Sequence, residues 1–233
     1  LSQYSALMLF KQKYGDKKFR RILKIELDKY LRGRTNEIVE ELPLMRVENQ
    51  QYIHYRKGSI AMMSLVDLLG EKRMNRALSA FLNKFKFSDN PYPTTLDLMS
   101  FFTQDATEHE ISFIKSVFEQ INLYDLKTKQ FTVQELDNDQ YEVTLMVEAQ
   151  RMNADGQGIE TIVPLSEYID IGLFIDNPDD ISETTAPLYL QKHLITSGEN
   201  ILKITVSKRP FFAGIDPFIK LIDRDSNDNV VGL

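Results

Sequence analysis

Residues Tyr124 to Val147, YDLKTKQFTVQELDNDQYEVTLMV, decide the fold class. Phe131-Thr132-Val133 and Tyr141-Glu142-Val143-Thr144-Leu145-Met146-Val147 alternate across two faces, and Asn138-Asp139 between them has turn composition, so the stretch predicts a β-hairpin. Upstream of Tyr124 the apolar residues recur every three or four positions instead, which is the period of a helix. One chain thus changes its period once, near Tyr124.

The helical side divides at its glycines and caps. Tyr4, Leu7, Met8 and Phe10 mark a first helix, which Gly15 and Asp16 end, and Phe19, Ile22, Leu23, Leu27, Tyr30 and Leu31 mark a second that Gly33 closes. Lys17, Lys18, Arg20, Arg21, Lys24, Lys29, Arg32 and Arg34 form its basic side, with Glu26 and Asp28 interleaved and no aromatic platform, the pattern of a solvated face. Asn36 to Gln51, broken by Pro43, reads as a helical turn and a loop. Lys57 to Leu69 is the most apolar helix and is expected to be central; Gly70 terminates it, and Glu71 to Phe85 follows as an amphipathic helix. Thr94 or Thr95 can cap the next helix, and Thr107 with Glu110 matches a capping box for the last.

On the other side, Asn153-Ala154-Asp155-Gly156 is a second turn. Strands are expected at Ile159–Val163, Tyr168–Ile175, Leu188–Ile195, Ile201–Val206 and Phe218–Ile222, with Pro210 to Pro217 as a connection. About seven short strands in this length suit an immunoglobulin-like antiparallel sandwich. The expected fold is therefore α+β: an all-α part, residues 1–123, and a β-sandwich, residues 124–233.

Composition narrows the function classes. The 233 residues hold no Cys and no Trp, carry a net charge of −6 and are 42% hydrophobic, which excludes disulfides, thiolate metal sites, Cys nucleophiles and a strongly basic nucleic-acid binder. The charge divides unevenly: net +4 (19 basic, 15 acidic) over residues 1–123 and net −10 (9 basic, 19 acidic) over 124–233. The most apolar run, Ile60 to Leu69, is too short to cross a bilayer and is cut by Asp67. The first residue is Leu, so the chain is expected to be a piece of a longer polypeptide.

Most candidate sites have a plain reading. His109-Glu110 opens like H-E-x-x-H, but Phe113 stands where the second His belongs. Asp223-Arg224-Asp225-Ser226-Asn227-Asp228-Asn229 alternates oxygen ligands like the opening of a calcium loop, yet has Asp228 at the glycine position and no twelfth-position Glu, so a solvated turn is expected. Asp176 to Asp180 reads as an acidic loop, and Gly156-Gln157-Gly158 as a hairpin connection. Phe211, Phe212 and Phe218 would make a carbohydrate-binding platform if all three rings were exposed. More distinctive is Tyr52-Ile53-His54-Tyr55-Arg56-Lys57-Gly58, an aromatic pair, a His and two cations ahead of the central helix, with a Gly whose presence suggests a close backbone approach.

Tyr55-Arg56-Lys57-Gly58, the apolar helix after it and Leu68-Leu69-Gly70-Glu71 resemble the Tyr-x-Lys-Gly segment of aminopeptidase N type zinc metallopeptidases, the gluzincins. Leu1-Ser2-Gln3-Tyr4-Ser5-Ala6 is similar to the residues that follow the family's distal zinc Glu. More narrowly, Gln3 to Met8, Arg46 to Gln50, Tyr52 to Gly58 and Ile195 to Asn200 resemble bacterial proteins that fuse an ABC-2 type transporter permease to such a peptidase.

The resemblance implies a membrane-linked zinc aminopeptidase in which Tyr55 is the catalytic tyrosine, its phenol donating a hydrogen bond to the oxyanion formed on the peptide carbonyl. It implies the second half of a gluzincin catalytic domain for residues 1–123. The family's H-E-x-x-H, general-base Glu, distal zinc Glu and amine-recognition motif are missing, the distal Glu falling just ahead of Leu1. This chain alone is therefore expected to bind no cofactor and to cleave nothing, with zinc, peptide substrate and transmembrane segments belonging to the full-length parent. No nucleic-acid partner is expected. The alternative is a non-catalytic adaptor of a transporter.

Overall fold

The structure is a computed structural model and describes residues 1–137, 139–180 and 186–233. Among them, five α-helices precede eight strands. The helices are α1 (Ser2–Asn36), α2 (Gly58–Leu69), α3 (Glu71–Phe85), α4 (Thr95–Thr103) and α5 (Glu108–Glu119). The strands are β1 (Ile121–Leu136), β2 (Gln140–Ala154), β3 (Glu160–Val163), β4 (Ser166–Phe174), β5 (Tyr189–Thr196), β6 (Gly198–Val206), β7 (Phe212–Ile215) and β8 (Val230–Gly232).

The expected interruption of the first helix is present: Gly15, at φ 80° and ψ 173°, leaves the helical region and kinks α1. Gly33 does not end it, because its backbone stays helical and the chain runs on to Asn36. Gly33 marks a crossing instead, where a Cβ would lie 2.4 Å from that of Tyr52. The expected capping box forms between Thr107 and Glu110, and of the two possible caps for α4 it is Thr94 that serves, in a second box with Asp97.

All strand pairs are antiparallel and form two four-stranded sheets. In one, β2 pairs with β1 along one edge and with β6 and then β3 along the other; the second has the order β5-β4-β7-β8. Leu126, Val143, Leu145 and Val147 of the first sheet and Ile169, Ile171, Leu173 and Ile215 of the second are buried in one shared core, so the sheets pack face to face. A bulge between Thr128 and Gln130 turns Thr128 inward, where its hydroxyl donates to Asn229 O at 2.6 Å and accepts from Ile215 N at 3.2 Å. Of the predicted hairpin turn, Asp139 has a left-handed φ of 56° and Asn138 lies outside the described residues.

Two strand expectations are corrected. Phe218–Ile222 is not a strand: Asp216 and Ile219 have positive φ, and the Asp216 carboxylate accepts the N–H groups of Lys220 and Leu221. A short side chain here takes the backbone donors that a ladder would need. Phe212–Ile215, inside the expected connection, is a strand between β4 and β8. Sheet structure also starts at Ile121 rather than Tyr124.

The helical core admits residues from beyond that boundary. Leu123, Met152, Ile219 and Ile222 are buried with Leu27, Tyr30, Leu65 and Phe102. Polar contacts join the halves as well, since Lys220 and Lys192 both bind Asp67 of α2 and Asp170 of β4. The expected solvated basic face is partly turned inward: Arg20 is buried, binds Pro217 O and Asp179, and burial lowers its pKa to about 10. Asp179 thus ties the acidic loop to α1. The turn at Asp223 is solvated only in part: Arg224, Asp225 and Asn227 are exposed, whereas Asp223 and Asn229 are fully buried, and burial raises the Asp223 pKa to about 8.

Candidate functional site

The candidate site grows from the junction of α1 with the segment ahead of α2. Residues Tyr52–Lys57 form a π-helical segment that passes directly into α2. The N–H of Gly58 bonds Ile53 O five residues back, closing the wide turn. Such a turn rotates the side chains before it relative to those of α2, so Ile53 and Lys57 point inward while Tyr55 is left outside.

Three contacts hold this turn to α1. The Tyr52 ring stacks on Tyr30 with centroids 6.0 Å apart, next to the close crossing at Gly33. Arg56 binds both oxygens of Glu26, at 2.8 and 3.0 Å, and Glu26 is itself buried on α1. Lys57 is only 1% exposed, with its ammonium 3.7 Å from Glu41 and 5.5 Å from the centroid of the Tyr30 ring.

Glu41 is the hub of this polar core. It accepts the Tyr30 hydroxyl at 2.6 Å and Arg34 Nε at 2.7 Å, and Arg34 reaches Glu160 of β3 at 3.0 Å. Burial lowers the Lys57 pKa to about 8, although Glu41 pulls the other way. Burial and the neighbouring Glu41 raise that of the Tyr30 phenol far above its usual range. A buried ammonium of this kind persists because its carboxylate partner is buried with it.

Tyr55, the predicted site residue, is 46% exposed. Its ring touches that of His54, with centroids 4.6 Å apart, and its hydroxyl has no hydrogen-bond partner among the described residues. Tyr52 is the opposite, a packing residue whose buried hydroxyl also lacks a partner. A phenol that is open to solvent on a firmly held backbone can donate to a bound oxygen without first breaking an internal bond. Gly58 does not serve a close approach: an added Cβ would meet Ile53 O and a Leu44 methyl at 3.5 Å, ordinary contact distances.

The other candidates are not brought to this point. His109 lies on α5, and His193 on β5 with its Nε2 2.7 Å from the Tyr189 hydroxyl. No group of three or more His, Asp or Glu able to hold a metal ion occurs among the described residues. Gly156 and Gly158 sit in the β2–β3 connection, where Asp155 accepts the N–H groups of Gln157 and Ile159. Phe211 is exposed, but Phe212 is half-buried and Phe218 packs edge-on against Phe174, so the three rings form no exposed platform.

Sequence reasoning missed Glu41 and Lys57 as a pair and Glu26 with Arg56. The available signal was Glu26, an acidic residue one turn from Leu23 and Tyr30 on the apolar stripe. Among the described residues no helix is long and apolar enough to cross a membrane. No protein-family model matches the sequence, and no curated protein matches it.

Proposed function

We propose that this chain is the tyrosine-bearing part of a membrane-linked aminopeptidase of the gluzincin type, the helices being the second half of its catalytic domain and the two sheets an immunoglobulin-like sandwich. The observation that carries the reading is the contrast within one turn: Tyr55 is exposed with its hydroxyl uncommitted, while Ile53 and Lys57 on either side are buried. In this reading the Tyr55 phenol donates a hydrogen bond to the oxyanion that forms as a peptide carbonyl is attacked, a contact worth more in the transition state than in the ground state. Arg56, through Glu26, and Lys57, through Glu41, fix the backbone from which Tyr55 projects.

No ligand set for zinc occurs among the described residues, and no step through a metal is assigned to this chain. Two observations test the assignment. The gene should encode H-E-x-x-H upstream of Leu1 and a Glu just before it; absence of both favours the adaptor. Metal analysis of the purified 233-residue chain should find no stoichiometric zinc, and tight one-to-one binding would show that the site has been misplaced.

A further inference from the structure

Where α3 turns back into α4, the helical part presents apolar side chains to solvent. Leu82 in the last turn of α3, Phe87 and Tyr92 in the connection and Leu96 in the first turn of α4 are 57%, 100%, 70% and 60% exposed. Phe81 and Phe85 behave differently: their rings pack on each other at 5.1 Å between centroids, and on Phe101 at 5.7 and 6.3 Å. Phe87, two residues on, takes a left-handed φ of 60°, which a bulky aromatic residue rarely adopts, and its ring stays outside that cluster. A wholly exposed ring has no neighbour to form one wall of a cavity. The tip is therefore convex, and whatever covers Phe87 must surround it.

Charge selects the covering surface. Residues 72–97 carry five basic and two acidic side chains, net +3, in a chain of net −6. Lys84, Lys86 and Asp89 are exposed close to Phe87 in the chain; Lys84 Nζ stands over the Phe85 and Phe101 rings at 5.1 and 5.7 Å, and Lys86 Nζ donates to Asn83 at 3.0 Å. The other acid, Asp97, is turned into the cap of α4, where it accepts Thr94 N at 2.7 Å. Ile38 and Val39, 96% and 61% exposed, are a comparable apolar pair, but Glu37 precedes them and Glu40 and Glu41 follow, so an anionic surface is repelled there.

We propose that the α3–α4 tip is seated in the interfacial layer of a lipid bilayer that contains anionic lipid. Phe87, Leu82 and Leu96 enter the apolar boundary, and Tyr92 keeps its hydroxyl among the headgroups. Lys84 and Lys86 extend their ammonium groups to the lipid phosphates. A fluid bilayer closes around a convex ring without a preformed pocket, which a folded partner would have to supply. The inference does not depend on the role of Tyr55.

The chain has no Trp, so Phe87→Trp makes a single-tryptophan reporter at a position outside the core. Vesicles of mixed phosphatidylcholine and phosphatidylglycerol should shift its emission to the blue and open it to a quencher carried on the acyl chains. Co-sedimentation of the full 233-residue chain should show binding to the mixed vesicles, at least about fivefold weaker to pure phosphatidylcholine. Phe87→Ser should weaken binding to the mixed vesicles by at least about fivefold. An emission that does not respond to mixed vesicles, equal binding to the two kinds of vesicle or unchanged binding of Phe87→Ser would overturn the proposal. So would a dimer without lipid that Phe87→Ser dissociates, which would make the tip a contact between copies. Circular dichroism of each variant guards against misfolding, and either variant alone is decisive if the other does not fold.

Discussion

Two glycines on either side of the candidate site behave oppositely, and each can be tested by one methyl group. Gly58 is helical with ordinary contacts around its missing Cβ, so Gly58→Ala should stabilise the chain by about 0.5–1 kcal/mol through the lost freedom of the unfolded state. Gly33→Ala puts a methyl 2.4 Å from the Tyr52 Cβ, which cannot rotate away, and should destabilise by roughly 1–3 kcal/mol. Urea midpoints of the two variants measure both; a destabilised Gly58→Ala would mean that the wide turn cannot tolerate a side chain. At this scale the sequence was legible where chemistry is local. Tyr55 stood out by its neighbours, but the value of Lys57 depends on Glu41, sixteen residues away, and of Arg56 on Glu26, thirty away. Nothing in a one-dimensional pattern pairs them.

At the scale of elements, helices were read best where a cap or a break states itself in residue type. The Thr107 box is an example: its hydroxyl accepts Glu110 N at 3.3 Å, and Glu110 returns a carboxylate to Thr107 N at 2.8 Å. Those contacts, the Thr107 N–H foremost, hold the Glu110 carboxyl below its usual pKa. Thr107→Ala should therefore cost about 1 kcal/mol, seen as a lower melting temperature, and an unchanged value would mean that α5 starts without its cap. Strands were read well where alternation was long, as in β1 and β2, and badly near the end of the chain. There β7 is short and enclosed, and Gly214 is required because a Cβ would meet Asn229 O at 2.4 Å. Apolar Phe218 to Ile222 looked like a strand, but local acceptance by Asp216 decided otherwise. The π-helical turn had no signature in composition at all.

In the whole molecule the charge break near Tyr124 follows the change from helices to sheets, yet the halves share a core and a line of ion pairs. Lys220 shows how strongly they are joined: burial would lower its pKa, but Asp67 of α2 and Asp170 of β4 outweigh it and raise the value. Beside it, burial raises the Asp216 pKa to about 7 in the folded chain, from 3.8. Between those values the native state holds a proton that the unfolded chain releases. This group therefore makes stability fall as pH rises from about 4 to 7, by on the order of 2–4 kcal/mol. Asp216→Asn should flatten that slope, measured as urea midpoints at pH 4.5 and 7.5; an identical slope would show that the carboxyl titrates normally. The sequence could locate the boundary but not this seam, because Asp67, Asp170, Lys192 and Lys220 are brought together only by the packing of the two halves.

The central claim is that Tyr55 acts on substrate in the parent enzyme, and the most direct measurement is turnover of a full-length Tyr55→Phe variant on a peptide substrate. A fall in kcat of about 10²–10³-fold is expected, with zinc content and KM little changed, because the phenol acts on the transition state rather than on the bound peptide. Normal kcat in a folded, zinc-replete variant would contradict the account and remove Tyr55 from the mechanism.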